Sequence, residues 1–157
     1  MKNIIRNIII AVLLSPMILF VYLTAIFIGR QRAAALVGPA LTSAAKRSLR
    51  YWVPRIYSPE DFDTFAPAMK SRFWLWKPLY DIGIEEETRD VFRIRVTNCP
   101  FCEVLIAAGL KELAPRMCEA DWAVARDNSD KWSFDRKHQI GTGDAFCDHT
   151  YMRIKSR

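Results

Sequence analysis

Between Arg6 and Arg30 the chain carries no charged side chain, so Asn7 to Gly29 is an uncharged run of 23 residues. A bilayer core of ~30 Å needs about 20 apolar residues in a helix, and this run crosses it with some tilt. Ser15 and Thr24 can bond back to their own helix, and Pro16 predicts a bend that membranes tolerate when a side chain or neighbouring helix satisfies the freed carbonyl. A cleaved signal peptide is the rival reading, with Ala33, Ala34 and Ala35 mimicking a cleavage site. Signal cores are usually shorter, at ~7–15 apolar residues. A buried helix of a soluble protein is the third reading. The expectation is a retained single-pass anchor, residues 1–30, that holds the chain in a membrane through residues 7–29.

Charge divides along the same line. Residues 1–56 hold eight basic groups (Lys2, Arg6, Arg30, Arg32, Lys46, Arg47, Arg50, Arg55) and no acid, whereas residues 57–157 hold 15 basic groups and all 17 acids. A basic excess beside an apolar span favours anionic lipid head groups. No DNA- or RNA-binding signature accompanies it, so nucleic acid is not an expected partner. A second reading of Lys46, Arg47 and Arg50 is a solvated last helical turn, where cations suit the helix dipole. Arg30, Arg32 and that trio outnumber Lys2 and Arg6, which places the domain after the span in the cytoplasm. A reducing compartment would also keep the four cysteines as thiols.

The whole chain is 51% hydrophobic and 25% charged, which excludes a disordered polymer. Four cysteines in 157 residues are too sparse for a disulfide scaffold. Residues 31–50 read as an alanine-rich helix weakened by Gly38 and Pro39. Residues 51–80 form a connector rich in proline and aromatics, which suit either a membrane interface or the domain core. Together, residues 31–80 make a basic, aromatic juxtamembrane linker.

The compact domain, residues 81–157, begins near Asp81. Phe92, Ile94 and Val96 alternate with Arg93 and Arg95, predicting a half-buried strand over 91–97. Pro100 suits a helix start, and Gly109 a helix stop, for a helix over 101–109. A second helix is predicted from about Ala114 to Arg126, then strands over 132–140 and 147–155 around a Gly141-Thr142-Gly143-Asp144 turn. Strand, helix, helix, strand, strand implies an α+β domain, with helices covering a small, mainly antiparallel sheet.

All four cysteines and both histidines fall in this domain. Cys99-Pro100-Phe101-Cys102 is a C-x-x-C without the second pair that a zinc site needs. A four-thiolate site from Cys99, Cys102, Cys118 and Cys147, holding zinc or iron, competes with simple packing of small apolar cysteines. Cys118 and Asp121 stand three apart and share a helix face. Cys147 and His149 share a strand face, with Asp148 on the other. Thiol, imidazole and carboxylates together supply a nucleophile, its base and the group that orients the base. Arg136 and His138 share parity with Trp132 and Phe134, so they point to the apolar side and suggest an anion-binding pocket.

Cys99-Pro100, Cys118-x-x-Asp121, Phe134-x-Arg136 and Gly143-Asp144-x-x-Cys147-Asp148-His149 together resemble the L-2-amino-thiazoline-4-carboxylic acid hydrolase family. The resemblance covers roughly residues 85–155. It implies hydrolysis of a C–N bond in a small cyclic carboxylate. Cys118 or Cys147 would be nucleophile or metal ligand, Asp121 and Asp148 orienting or acid/base groups, and His149 the base. Arg136, with His138, would bind the substrate carboxylate. The N-terminal anchor and Cys102 depart from the pattern. The competing function is a non-enzymatic membrane-tethered binding or assembly subunit, docked on a membrane protein, whose cysteines hold a metal or Fe–S cluster or only pack.

Overall fold

The computed structural model describes residues 2–154. The apolar run forms α1 (Lys2–Ile28), and its Ile4–Ile28 portion is long and apolar enough to cross a membrane. Gly29, with φ 82°, breaks the helix in a conformation that a residue with a Cβ rarely adopts. The chain then turns into α2 (Arg30–Leu49), which runs on through Gly38 and Pro39 and packs against α1. Proline within a helix costs one backbone bond. Here the buried stripe Ala33, Ala34, Val37, Leu41 and Ala45 holds α2 between neighbours despite it.

The connector folds onto the domain. A 3-10 turn (Pro59–Thr64), α3 (Phe65–Lys70) and α4 (Phe73–Trp76) carry aromatic rings into the same core as the sheet. Trp52 stacks on Phe73 and meets Trp76 edge-on, while Tyr51, Tyr57 and Trp74 stay exposed. The expectation that these rings join the domain core is met by Trp52, Phe73 and Trp76.

The sheet is entirely antiparallel, in the order β1 (Ile82–Glu87), β2 (Val91–Val96), β4 (Cys147–Arg153), β3 (Trp132–Asp135). Phe92, Ile94 and Val96 are buried as their alternation predicts. On the opposite face Arg93 and Arg95 pair with Glu86 and Glu85 of β1. Trp132, Tyr151, Phe65 and Phe92 are almost wholly enclosed. Burial of this kind stabilises by about 1.5–3 kcal/mol per large apolar side chain.

Between β2 and β3 come α5 (Pro100–Ala107) and α6 (Ala114–Asp127). α5 packs on α1, and α6 on α2 and α5. The α+β class, the antiparallel sheet and its helical cover agree with the sequence reading. Two details differ. β1 was not expected, and β3 stops at Asp135 instead of Ile140. The early stop has a clear cause: the backbone N–H of Lys137 donates to Asp148 Oδ1 at 3.0 Å, and His138 N–H donates to the same oxygen, so the side chain replaces the ladder. The last strand ends at Arg153, short of the expected Lys155, which itself lies outside the described residues.

Candidate active site

α6 and β4 face each other across the core. Cys118 and Asp121 project from one side of α6, and Cys147 and His149 from the inward face of β4. Arg136, just beyond β3, reaches between them. These five residues line one cavity of about 150 Å³. Its remaining walls include Leu49, Trp52, Trp76, Tyr80, Cys99 and Met117, so α2 and the connector close what the sheet and α6 begin.

Arg136 organises the floor. Its Nη1 donates to Asp121 Oδ2 at 2.6 Å, and Nη2 donates to the Cys118 carbonyl at 2.8 Å and to Gln139 Oε1 at 2.7 Å. Nε is buried without a partner. Asp121 Oδ2 also lies 3.5 Å from His149 Nε2, and His149 Nδ1 is buried and unpartnered. Burial alone would push the Asp121 carboxyl up; His149 and Arg136 beside it outweigh that and hold it below its usual range. Burial likewise opposes charge on Arg136, but Asp121 and the neighbouring thiols raise its pKa.

The thiols form a chain. Cys102 Sγ lies 3.9 Å from Cys118 Sγ, and Cys147 lines the same cavity as Cys118. Hydrogen bonds from Cys102 and Cys147 pull the Cys118 thiol down to about 4, against burial and Asp121 and with help from Arg136. The same bonds, with burial, push Cys102 and Cys147 up, so both stay protonated as donors. Cys147 Sγ also accepts the Ile140 N–H at 3.3 Å.

His138 and Asp148 do not line this cavity. His138 packs on Phe146, with ring centroids 4.5 Å apart, and Asp148 caps the loop backbone after β3. Cys99 lines the mouth, and Cys102 lies beneath Cys118, wholly buried. Among the described residues no group of three or more histidine, cysteine, aspartate or glutamate side chains is arranged to hold a metal ion.

Several residues escaped the sequence reading. Gly141 sits so close to α6 that a Cβ there would lie 2.8 Å from Cys118 Sγ and from the Ala114 carbonyl oxygen. Asp144 Oδ2 accepts the Gln139 N–H at 2.7 Å, fixing the residue that braces Arg136. The Gly-x-Gly-Asp spelling was the available signal for both. Trp52, Trp76 and Tyr80 carried no signal of belonging to the pocket.

A helical hairpin and an antiparallel sheet that enclose a small cavity over cysteine, aspartate, arginine and histidine define an α+β pocket protein. The model of the L-2-amino-thiazoline-4-carboxylic acid hydrolase family matches residues 6–151, and the chain belongs to this family. The match corrects the expected extent of 85–155: it begins inside α1 and takes in the hairpin and connector. That agrees with α2 and the connector forming walls of the cavity. A search of curated proteins finds no match.

Proposed function

We propose that this protein is a membrane-associated hydrolase that opens the C–N bond of a small cyclic carboxylate, with Cys118 as nucleophile. The observation that carries this reading is the convergence of Cys118, Asp121, Arg136 and His149 on one cavity, where the neighbouring thiols lower the Cys118 pKa. The family's thiazoline substrate has about nine non-hydrogen atoms. A cavity of about 150 Å³ is of the size that takes a single small ring.

The chemistry then divides among the cavity residues. The Cys118 thiolate bonds to the ring carbon flanked by two heteroatoms, and the C=N electron pair moves to the ring nitrogen. That nitrogen leaves as the amine, taking its protons from His149 and solvent. Water, deprotonated at His149 Nδ1, then displaces the thiolate, so one water is added net across the C–N bond. Asp121 holds His149 through Nε2 and leaves Nδ1 free as the base. Arg136 positions Asp121 and supplies the positive charge that attracts the substrate carboxylate, with His149 and Cys147 closing the same wall. Asp148 and His138 shape the loop beneath and take no chemical part in this scheme.

α1 and the basic groups near it hold the protein on the cytoplasmic face of a membrane, where anionic lipid attracts the unpaired cations of residues 1–56. The test is turnover of L-2-amino-thiazoline-4-carboxylate by the full chain in lipid. The expected result is ring opening that Cys118→Ser lowers by at least about 10³-fold. Undiminished turnover in Cys118→Ser, or none in the wild type, would contradict the reading.

A further inference from the structure

α1 is docked along the domain over most of its length. Near its start, Arg6 Nη2 donates to Glu103 Oε2 at 3.0 Å and Asn7 Nδ2 donates to the same oxygen at 2.8 Å, with Arg6 only 4% exposed. Near its end, the Tyr22 hydroxyl donates to the Ala108 carbonyl. Those tethers stand sixteen residues apart, about 24 Å along a helix; one reaches α5 and the other the residue that caps its end. Between them Ile10, Leu14 and Val21 pack against Val37 and Leu41 of α2 and Val104 and Leu105 of α5.

This packing bears on how α1 meets lipid. If α1 crossed a bilayer core of ~30 Å, α2 and α5 would be drawn in beside it. Glu103 and the charged residues of α2 would then sit in hydrocarbon, which is expensive for ionisable groups. The opposite side of α1 is bare: Ile5, Ile9, Val12, Leu19, Leu23 and Ile26 are all exposed. The neighbouring helices also carry exposed apolar side chains, Leu36 on α2 and Ile106 on α5. Arg32, Leu36, Ser43 and Arg47 recur at helical spacing on one outward face of α2. Arg6, Arg30 and Lys46 are neutralised by Glu103, Glu112 and Asp127. Arg32, Arg47, Arg50 and Arg55 make no ion pair among the described residues, so the charge left over on α2 and the start of the connector is positive.

We infer that α1 lies in the plane of an anionic membrane surface, its bare side in the acyl boundary and Arg32 and Arg47 on phosphate head groups, with both ends of the chain on one side. A second copy of the chain is a poorer occupant, because a symmetric contact across α1 would bring these unpaired cations towards one another. The inference rests on the membrane association proposed above and specifies its geometry.

The experiment uses the full chain with an epitope tag at each end, in membrane vesicles of defined sidedness digested from outside. The expected result is that both tags are cleaved in inside-out vesicles and both are protected in right-side-out ones. One tag cleaved and the other protected would overturn the in-plane arrangement while leaving membrane association standing. Protein that fails to sediment with the vesicles, including a discrete dimer in lipid-free buffer, would overturn membrane association itself. In a parallel binding measurement to phosphatidylglycerol vesicles, Arg32→Gln and Arg47→Gln are each expected to weaken binding about fivefold. Unchanged binding in the double variant would overturn the head-group contact.

Discussion

Cys102, wholly buried on α5, holds its sulfur 3.9 Å from that of Cys118 on α6, which faces the cavity. All four cysteines are free thiols. Cys102 completes a hydrogen-bonded pair that favours charge on Cys118. Replacing it tests this. Cys102→Ala is expected to raise the pH at which Cys118 becomes reactive, as read by alkylation rate against pH. An unshifted profile would remove Cys102 from the account.

Thiol charge also makes stability depend on pH. Cys118 falls from its usual 9.0 to about 4 on folding, so between those values the unfolded chain holds a proton that the native chain lacks. Stability from Cys118 is complete above pH 9 and is lost as pH falls toward 4. Cys102 and Cys147, pushed above 9, contribute below that value and lose their contribution as pH rises through their folded values. Asp121, held below its usual 3.8, contributes above it and fails only in stronger acid. Thermal unfolding of the wild type should shift upward between pH 5 and 8 relative to Cys118→Ala. Parallel curves for the two proteins would contradict the assignment.

Arg136 is buried, and its partner Asp121 is nearly so. Arg136→Met would leave a buried carboxylate with only His149, a loss of about 3–5 kcal/mol. For a chain of this length the expected drop in Tm is roughly 10 °C. The double variant Arg136→Met/Asp121→Asn should recover part of it, which a double-mutant cycle measures. Equal damage in single and double variants would show that the pair does not act as a unit.

Gly141→Ala should disturb the site from outside it. The added methyl meets Cys118 Sγ and the Ala114 backbone at 2.8 Å, and backbone gives way only at a cost. Expected are a lower Tm and slower Cys118 alkylation. Gly83→Ala is the control, since nothing lies within 4 Å of its added methyl. Matching behaviour of the two variants would exclude the close approach.

Asp148 separates loop capping from chemistry. Its carboxylate accepts two backbone N–H groups, bonds to a charged acceptor worth about 1.5–3 kcal/mol each. Asp148→Ala should therefore lower Tm while the pH profile of Cys118 alkylation keeps its midpoint. A moved midpoint would return Asp148 to the site.

The legible parts of the molecule were those where one periodicity met one environment. Phe92, Ile94 and Val96 alternate because β2 is central and half-buried, and Cys118 with Asp121 shares a face because α6 is regular. β1 escaped because it is an edge strand with neither face deeply buried: Ile-Gly-Ile-Glu-Glu-Glu shows no alternation. Arg136 and His138 share sequence parity but part company after Asp135, where Asp148 ends the ladder; Arg136 swings inward and His138 turns onto Phe146. The Arg136–Asp121 pair and the contribution of Trp52, Trp76 and Tyr80 depend on tertiary packing that no local spacing records.

The most direct test of Cys118 as a ready thiolate is its alkylation by iodoacetamide as a function of pH, with the modified residue located by mass spectrometry. The account predicts that Cys118 is modified first, at a rate nearly constant from pH 6 to 8 and falling only toward pH 4. First modification at Cys99, Cys102 or Cys147, or a Cys118 rate that climbs tenfold per pH unit up to pH 9, would contradict it.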